Sequence, residues 1–432
     1  MTRARRSRSK TTAQAVLAVL LAALVLPPAA PAQEAEAAGD PVDLEALQAD
    51  RDKKARKYPL DPRVSRYLGR AAELMDEQKP DEAEALLQRV TESRLDAYNL
   101  AYVYRMLGVV AYTAEQPDKA IGYFQQVLDL GMLPVRDEAK IRFTIAQLNA
   151  QRENWSEVVR WIDEWRRYVN DVEPAGVYLK ALAHHQLGET DAAIENVKLA
   201  IELSPDEPRE SWMRMLYALY TDQENFDEAI PVLKELLVRF PKKEYWIQLS
   251  LLYRAKDDFE DSLSVLQVAY EQGYLTEDKE LRRLARSYLF HELPYKAALV
   301  LEKGLEDGTV IADADAYQVL ADAWVTAREY EKALPPLAKA AELSEDGNLY
   351  ARLGQVHLQR EEWSQASQAL SRALEKGGLR NQGNAVLLLG IASYNDAQVA
   401  AAQRYFAQAR EFDNTRAAAE NWIAHIDREL GG

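Results

Sequence analysis

Apolar residues recur along the chain at intervals of three and four, and short polar turns interrupt them at a regular beat. The stretch from Lys243 to Thr276 shows the unit most clearly. Trp246, Leu249, Ser250 and Tyr253 are spaced for one face of a helix, the polar turn Lys256-Asp257-Asp258 follows, and Phe259, Ser262, Leu266 and Ala269 are spaced for one face of a second helix. An α-helix turns once in about 3.6 residues, so these spacings line up side chains on one side. The unit is two amphipathic helices joined by a tight turn, here called helix A and helix B.

From about residue 64 the unit recurs ten times. A small residue, usually Ala, marks the start of each helix B, at Ala83, Ala120, Val158, Ala193, Ala229, Ser262, Ala297, Ala333, Ala366 and Ala402. Successive marks are 37, 38, 35, 36, 33, 35, 36, 33 and 36 residues apart. Two helices approach closely only where both carry small side chains, so the residue twelve before each mark, in helix A, should be small as well. Ala71, Gly108, Ala146, Ala181, Ser250, Ala285, Ala321, Gly354 and Gly390 satisfy this, and Tyr217 is the exception. Four residues after each mark stands a large apolar plug: Leu87, Phe124, Ile162, Val197, Leu233, Leu266, Leu301, Leu337, Leu370 and Phe406.

These residues carry a resemblance to the tetratricopeptide repeat, with Pro205 and Pro241 at the position where a residue lacking an N–H ends helix B. The fold that follows is all-α, a right-handed superhelical α-solenoid of about ten helix-turn-helix units over residues 64–416. Residues 417–432, with Trp422 and Ile426 spaced by four, read as a C-terminal capping helix. Each unit in such an array buries its apolar face only against its neighbours. Repeats three and seven depart from the pattern: Val158 and Trp165 replace small residues in the former, and Gly304 stands where Ala is usual in the latter.

The first 32 residues differ from all that follow. Arg3, Arg5, Arg6, Arg8 and Lys10 precede an unbroken apolar run from Ala15 to Leu26, which is shorter than the roughly 20 residues a membrane span needs. Pro27-Pro28 ends the run, and Ala30-Pro31-Ala32 supplies small residues at the −3 and −1 positions of a cleavage site. Residues 1–32 are read as a secretory signal peptide cut after Ala32, which leaves no membrane-inserted segment. Ser7-Arg8-Ser9-Lys10 after Arg5-Arg6 lacks the apolar position of a twin-arginine signal and favours the general secretory route. Residues 33–63 read as a polar leader followed by a polar helix or spacer.

Charge and composition narrow the partners. The whole chain carries −16, and loss of five cationic residues with no acid leaves −16 − 5 = −21 from Gln33 onward. A surface so acidic disfavours nucleic acid. The chain has no cysteine, which excludes disulfides, thiolate metal sites and cysteine nucleophiles and suits an exported protein stabilised by burial alone. The expected location is the bacterial periplasm.

Catalytic signatures are missing. His184 and His185 point about 100° apart on a helix and cannot chelate as an i, i+4 pair would. His357 takes a position usually aromatic and reads as a satisfied core histidine. No H-E-x-x-H, G-x-S-x-G, phosphate-loop or dinucleotide-loop motif occurs. The pairs Asp227-Glu228, Asp257-Asp258 and Glu361-Glu362 fall in turns or at helix starts, where solvation and the helix dipole favour acids. The chain is expected to be no enzyme and to bind no cofactor or metal.

In the repeat register, the inner face of the A helices presents Tyr102, Arg105, Tyr112, Phe143, Gln147, Tyr178, His185, Arg214, Arg254, Arg282, Arg286, Gln318, Gln355 and Gln359. Aromatic residues at one end and Arg214, Arg254, Arg282 and Arg286 in the middle suit an extended acidic or C-terminal peptide. The competing reading pairs these arginines with nearby acids such as Glu244, Asp278 and Glu280. Linker stretches including Pro241-Lys-Lys-Glu-Tyr-Trp-Ile-Gln-Leu, Leu293-Pro-Tyr-Lys-Ala-Ala-Leu and Lys376-Gly-Gly-Leu-Arg-Asn-Gln-Gly-Asn-Ala resemble exported Gram-negative tetratricopeptide proteins associated with TonB, ExbB and ExbD energy-transduction systems. That resemblance implies a periplasmic scaffold or adaptor for envelope proteins. The alternative, motivated by the Trp and Tyr content, is an accessory protein that binds peptidoglycan or another polysaccharide; of the repeat-three tryptophans, Trp161 and Trp165, spaced by four, read as core, and glycan stacking would depend on Trp155.

Overall fold

The structure, a computed structural model, describes residues 42–430, and the segment expected to be a signal peptide and the start of the expected leader lie outside them. Every regular element among the described residues is a helix. The chain divides into two compact units, one ending at Leu236 and the other beginning at Leu237.

In the N-terminal unit a polar helix, α1 (Leu44–Lys57), precedes the repeats. Repeats one to three are α2 (Pro62–Asp76) with α3 (Pro80–Thr91), α4 (Ala97–Thr113) with α5 (Pro117–Leu130), and α6 (Val135–Gln151) with α7 (Trp155–Arg166). Repeat four is α8 (Pro174–Gln186) with α9 (Thr190–Glu202), and repeat five is α10 (Glu210–Asp222) with α11 (Phe226–Arg239), within which the unit boundary falls. In the C-terminal unit come α12 (Lys243–Ala255) with α13 (Phe259–Glu271), α14 (Asp278–Phe290) with α15 (Pro294–Glu306), and α16 (Ala314–Thr326) with α17 (Tyr330–Leu343). The last repeats are α18 (Asn348–Gln359) with α19 (Trp363–Lys376) and α20 (Gln382–Asn395) with α21 (Val399–Ala409), and α22 (Arg416–Leu430) follows. In repeats one to four and six to ten A packs on B, and within each unit B packs on the next A, from α3 on α4 to α9 on α10 and from α13 on α14 to α21 on α22. The pairs α2 on α4, α14 on α16 and α18 on α20 are direct contacts between successive A helices.

The small-residue register explains this packing. All ten marks in helix B and all ten plugs are buried. Where helix A carries glycine, the plug fills the space a side chain would take: a Cβ on Gly108 would lie 2.4 Å from the Phe124 ring, on Gly354 2.5 Å from Leu370, and on Gly390 2.7 Å from Phe406. Repeat six solves the same contact with two hydroxyls. Ser250 and Ser262 are buried with their Oγ atoms 2.9 Å apart, and Ser262 Oγ donates to the Ser250 carbonyl at 2.9 Å, so no polar atom is left unpaired.

The two irregular repeats are compensated by their neighbours. Trp165 is buried, and its ring occupies the place of a side chain on Gly176 of α8, where a Cβ would come within 2.4 Å. Gly304 admits Val310, whose Cγ2 would lie 2.5 Å from a Cβ there. Tyr217 stays half-buried, the one A position that does not close down on its partner.

One regularity of the turns is not visible in residue types. In every A–B turn a residue adopts the left-handed conformation: Gln78, Glu115, Glu153, Gly188, Glu224, Asp257, Glu292, Arg328, Glu361 and Ala397, each five residues before the mark. The following N–H then reaches back to the last turn of helix A, as in Gln116 N to Ala111 O at 2.9 Å and Asp258 N to Tyr253 O at 2.8 Å. This is the six-to-one hydrogen bond that closes a helix C-terminus. Only one of the ten positions is glycine, the residue that adopts this conformation without steric cost.

Candidate functional site: the A-helix faces

The A helices of the N-terminal unit present fewer free groups than their spacing suggests. Tyr102 is half-buried with its hydroxyl 3.2 Å from that of Tyr98, and burial together with that partner pushes its phenol up to about 12. Arg105 reaches to the next A helix and pairs with Asp137 at 3.2 Å. Phe143 is half-buried with its ring 5.2 Å from Trp165, and Gln147 is half-buried. Tyr178 is not a surface residue: it is buried against Trp212, with ring centroids 5.5 Å apart, and burial pushes its phenol up to about 12. Tyr112, His185 and Arg214 are exposed as the register predicts.

In the C-terminal unit the expected positive island is largely neutralised by its own chain. Arg282 is almost enclosed and binds Asp278 at 2.8 Å, Asp313 at 2.9 Å, Asp315 at 2.8 Å and the Ile311 carbonyl at 2.9 Å. Arg286 shares Asp315 at 2.8 Å. Two arginines against three aspartates leave a local charge of −1, so this cluster does not attract an acidic peptide. Of the acids expected to pair there, Asp278 does. Glu280 instead binds Lys243 at 2.9 Å and accepts the backbone N–H groups of Thr276 and Glu277. Asp313 and Asp315 were not anticipated, because they arrive from the next repeat. Arg254 is exposed and, among the described residues, has no carboxylate at ion-pair distance. Gln318 is half-buried, while Gln355 and Gln359 are exposed.

Gln355 lies in an open cleft of about 180 Å³ between α18 and α20. Its wall includes Asn348, Arg352, Arg380, Asn381 and Asn384, and its floor Ala351, Ala385, Leu379 and Leu388. The volume is below the 300–1,000 Å³ typical of small-molecule pockets, which fits a few side chains or a stretch of extended backbone. Asn348 is held in place by its Nδ2 to Gly378 O at 3.1 Å and by Arg380 N donating to its Oδ1 at 3.0 Å. Asn381 caps α20 by accepting from Asn384 N at 3.1 Å. Arg352 pairs with Asp322 of the preceding A helix at 2.5 Å. The Asn384 side chain and the exposed Arg380 guanidinium remain for a ligand. The signal for Asn348 and Asn384 was available: both lie six residues before their A position, as Tyr102 does.

Two of the histidines are held by an acid five residues on. His184 Nδ1 contacts Glu189 at 2.6 Å and His357 Nδ1 contacts Glu362 at 2.6 Å, one device used in two repeats. Of the repeat-three tryptophans, Trp161 and Trp165 are buried in the core as their spacing predicts, and Trp155 is half-buried against the same core. Among the described residues no three His, Asp or Glu side chains converge as a metal site would require, and no helix is long and apolar enough to cross a membrane.

Tetratricopeptide-repeat families match the chain over residues 68–133 and 219–273 and, separately, over residues 176–207. No curated protein matches it. Among solved structures it is similar to MamA from Desulfovibrio magneticus RS-1, at 22% identity and a TM-score of 0.30, covering 39% of this chain and 94% of that one. It is also similar to YrrB, described as a tetratricopeptide protein with an unusual peptide-binding site, at 18% identity and a TM-score of 0.36, covering 45% and 97%. The TPR2AB domain of yeast Sti1 in complex with pHSP90 gives 15% identity and a TM-score of 0.35, covering 60% and 99%. The chain thus carries tetratricopeptide repeats, in an all-α solenoid arrangement that the helix order extends beyond the matched segments.

Proposed function

We propose that the chain is a periplasmic scaffold that holds segments of envelope proteins on its A-helix faces, in association with a TonB-type energy-transduction system. Tetratricopeptide proteins mediate protein–protein interactions, and the observation that carries the reading here is the α18–α20 cleft. Its size, apolar floor and fixed carboxamides suit an extended peptide, whose backbone N–H and C=O groups would meet the Asn384 and Gln355 amides. The leader of residues 1–32 supports export, and the linker resemblance supports the TonB association. The acidic-peptide preference is carried by Arg380 rather than by Arg282 and Arg286, which are occupied.

The test is crosslinking in the native periplasm, with recovery of bound proteins by wild type and by the double variant Gln355→Ala, Asn384→Ala. Recovery of TonB-system components by wild type and their loss from the variant is the expected result. Equal recovery of the same proteins by both removes the cleft from the reading, and recovery of abundant periplasmic proteins alone removes the TonB association.

A further inference from the structure

Helix α1 has no fully buried residue, yet it is docked. Its half-buried positions, Leu44, Leu47, Gln48, Arg51, Lys54 and Ala55, follow helical spacing and turn one face toward repeat three, 87 residues further along the chain. Two polar contacts hold it there. Gln48 Oε1 accepts from the backbone N–H of Val135 at 2.9 Å, at the first residue of α6. Arg51 Nε lies 3.2 Å from Glu138 Oε1, and its Nη2 3.4 Å from Glu138 Oε2.

The receiving cleft is built for that guanidinium. Glu138 is 1% exposed, and on its far side Arg142 lies 3.7 Å away with its guanidinium 3.4 Å from the centre of the Tyr168 ring. Gly131 forms the near wall: it is left-handed at φ 56°, and a Cβ there would sit 3.0 Å from Arg51 Nη2. A carboxylate so enclosed needs a cation that brings several donors in a plane, which arginine supplies and lysine does not. The helix that brings it is the least apolar of the N-terminal unit, and Leu44, Leu47 and Ala55 are its half-buried apolar residues. Burial of so little surface leaves its docking dependent on the two polar contacts.

We propose that the Glu138 cleft is a guanidinium-binding site, filled in cis by Arg51 and open to an arginine carried by a basic helix of a partner protein when α1 lifts away. The surrounding charge favours such a partner, since the chain from Gln33 onward carries −21 and draws cationic segments toward it. The ligand class is an arginine with a side-chain acceptor one turn before it, the pattern Gln48 and Arg51 display. This site is separate from the α18–α20 cleft and stands whether or not that cleft holds a peptide.

The test uses the full chain and a fluorescent synthetic peptide of residues 42–58, with anisotropy as the readout. The Arg51→Ala chain, whose cleft lacks its internal occupant, is expected to bind the peptide at least tenfold more tightly than wild type does. A peptide carrying Arg51→Ala is expected to lose at least tenfold in affinity, and one carrying Arg51→Lys severalfold, comparisons that leave the cleft itself intact. Adding Glu138→Gln to the Arg51→Ala chain is expected to abolish the gain, with circular dichroism showing that its helix content is kept. Absence of binding to the Arg51→Ala chain, or binding indifferent to the peptide's arginine, overturns the proposal.

Discussion

Phe124 occupies the space of the side chain that Gly108 lacks: a Cβ at Gly108 would stand 2.4 Å from the ring edge, and the ring is itself buried. Repeats nine and ten repeat the relationship with Gly354 and Leu370 and with Gly390 and Phe406. Two opposed effects bear on Gly108→Ala. Alanine favours the helix by about 1 kcal/mol, while overpacking a closed core costs about 1–3 kcal/mol. The expected net loss is up to about 2 kcal/mol in chemical denaturation. In a Phe124→Leu background the clash is relieved, and Gly108→Ala should become neutral or stabilising. A stabilising Gly108→Ala in the wild-type background would show that the ring moves aside.

The left-handed turn residues predict a gain. A non-glycine residue in this conformation is strained by about 1–2 kcal/mol, against which glycine loses about 0.5–1 kcal/mol of chain entropy on folding. Glu115→Gly, Asp257→Gly and Glu361→Gly should each raise stability by up to about 1 kcal/mol, read as a higher midpoint in urea. Gly188→Ala should do the reverse, and since no atom lies within 4 Å of the added Cβ, its cost is purely one of backbone conformation.

The spacing of small and large residues made the paired helices legible, because the contact between A and B has one geometry and only certain sizes fit it. It could not reveal how Trp165 and Gly304 are accommodated. Their complements, Gly176 and Val310, belong to the following helix and loop and have no fixed place in the repeat. The same limit applied to the charges. Helical spacing identifies Asp278 as a partner of Arg282 four residues on, but Asp313 and Asp315 meet it only when the next repeat stacks. For α1, a polar sequence with little periodicity gave no hint that Arg51 would reach Glu138.

The arginine cluster separates two neighbours by burial. Arg282 holds three aspartates with its side chain 12% exposed, whereas Arg286 holds one and is 57% exposed. Arg282→Met leaves Asp278, Asp313 and Asp315 facing one another and should destabilise the C-terminal unit by about 1–3 kcal/mol at low salt, the like-charge part of which added salt screens. Arg286→Met should cost under about 1 kcal/mol, as exposed pairs do. The measurement is urea denaturation of both variants at low and high sodium chloride, and equal losses for the two would refute the assignment of Arg282 as the central tie.

Acid titration offers a test of the tie between the A helices of repeats six and seven. Lys243 of α12 contacts Glu277 at 2.6 Å, and Lys279 contacts the same carboxylate at 2.8 Å. Hydrogen bonding to Lys243, then to Lys279, holds the Glu277 carboxyl well below its ordinary 4.5, at about 2. A carboxylate whose native pKa is depressed stabilises the fold above its unfolded pKa, and the contribution fades as pH falls from about 4.5 toward about 2. The melting temperatures of wild type and Lys243→Met should therefore differ by a constant amount between pH 7 and pH 5 and draw together below pH 4.5, as Glu277 of the unfolded chain takes up a proton that the native carboxylate does not accept until about pH 2. A gap that stays unchanged to pH 3 would mean that Lys243 acts through the packing of its hydrocarbon stem rather than through its charge.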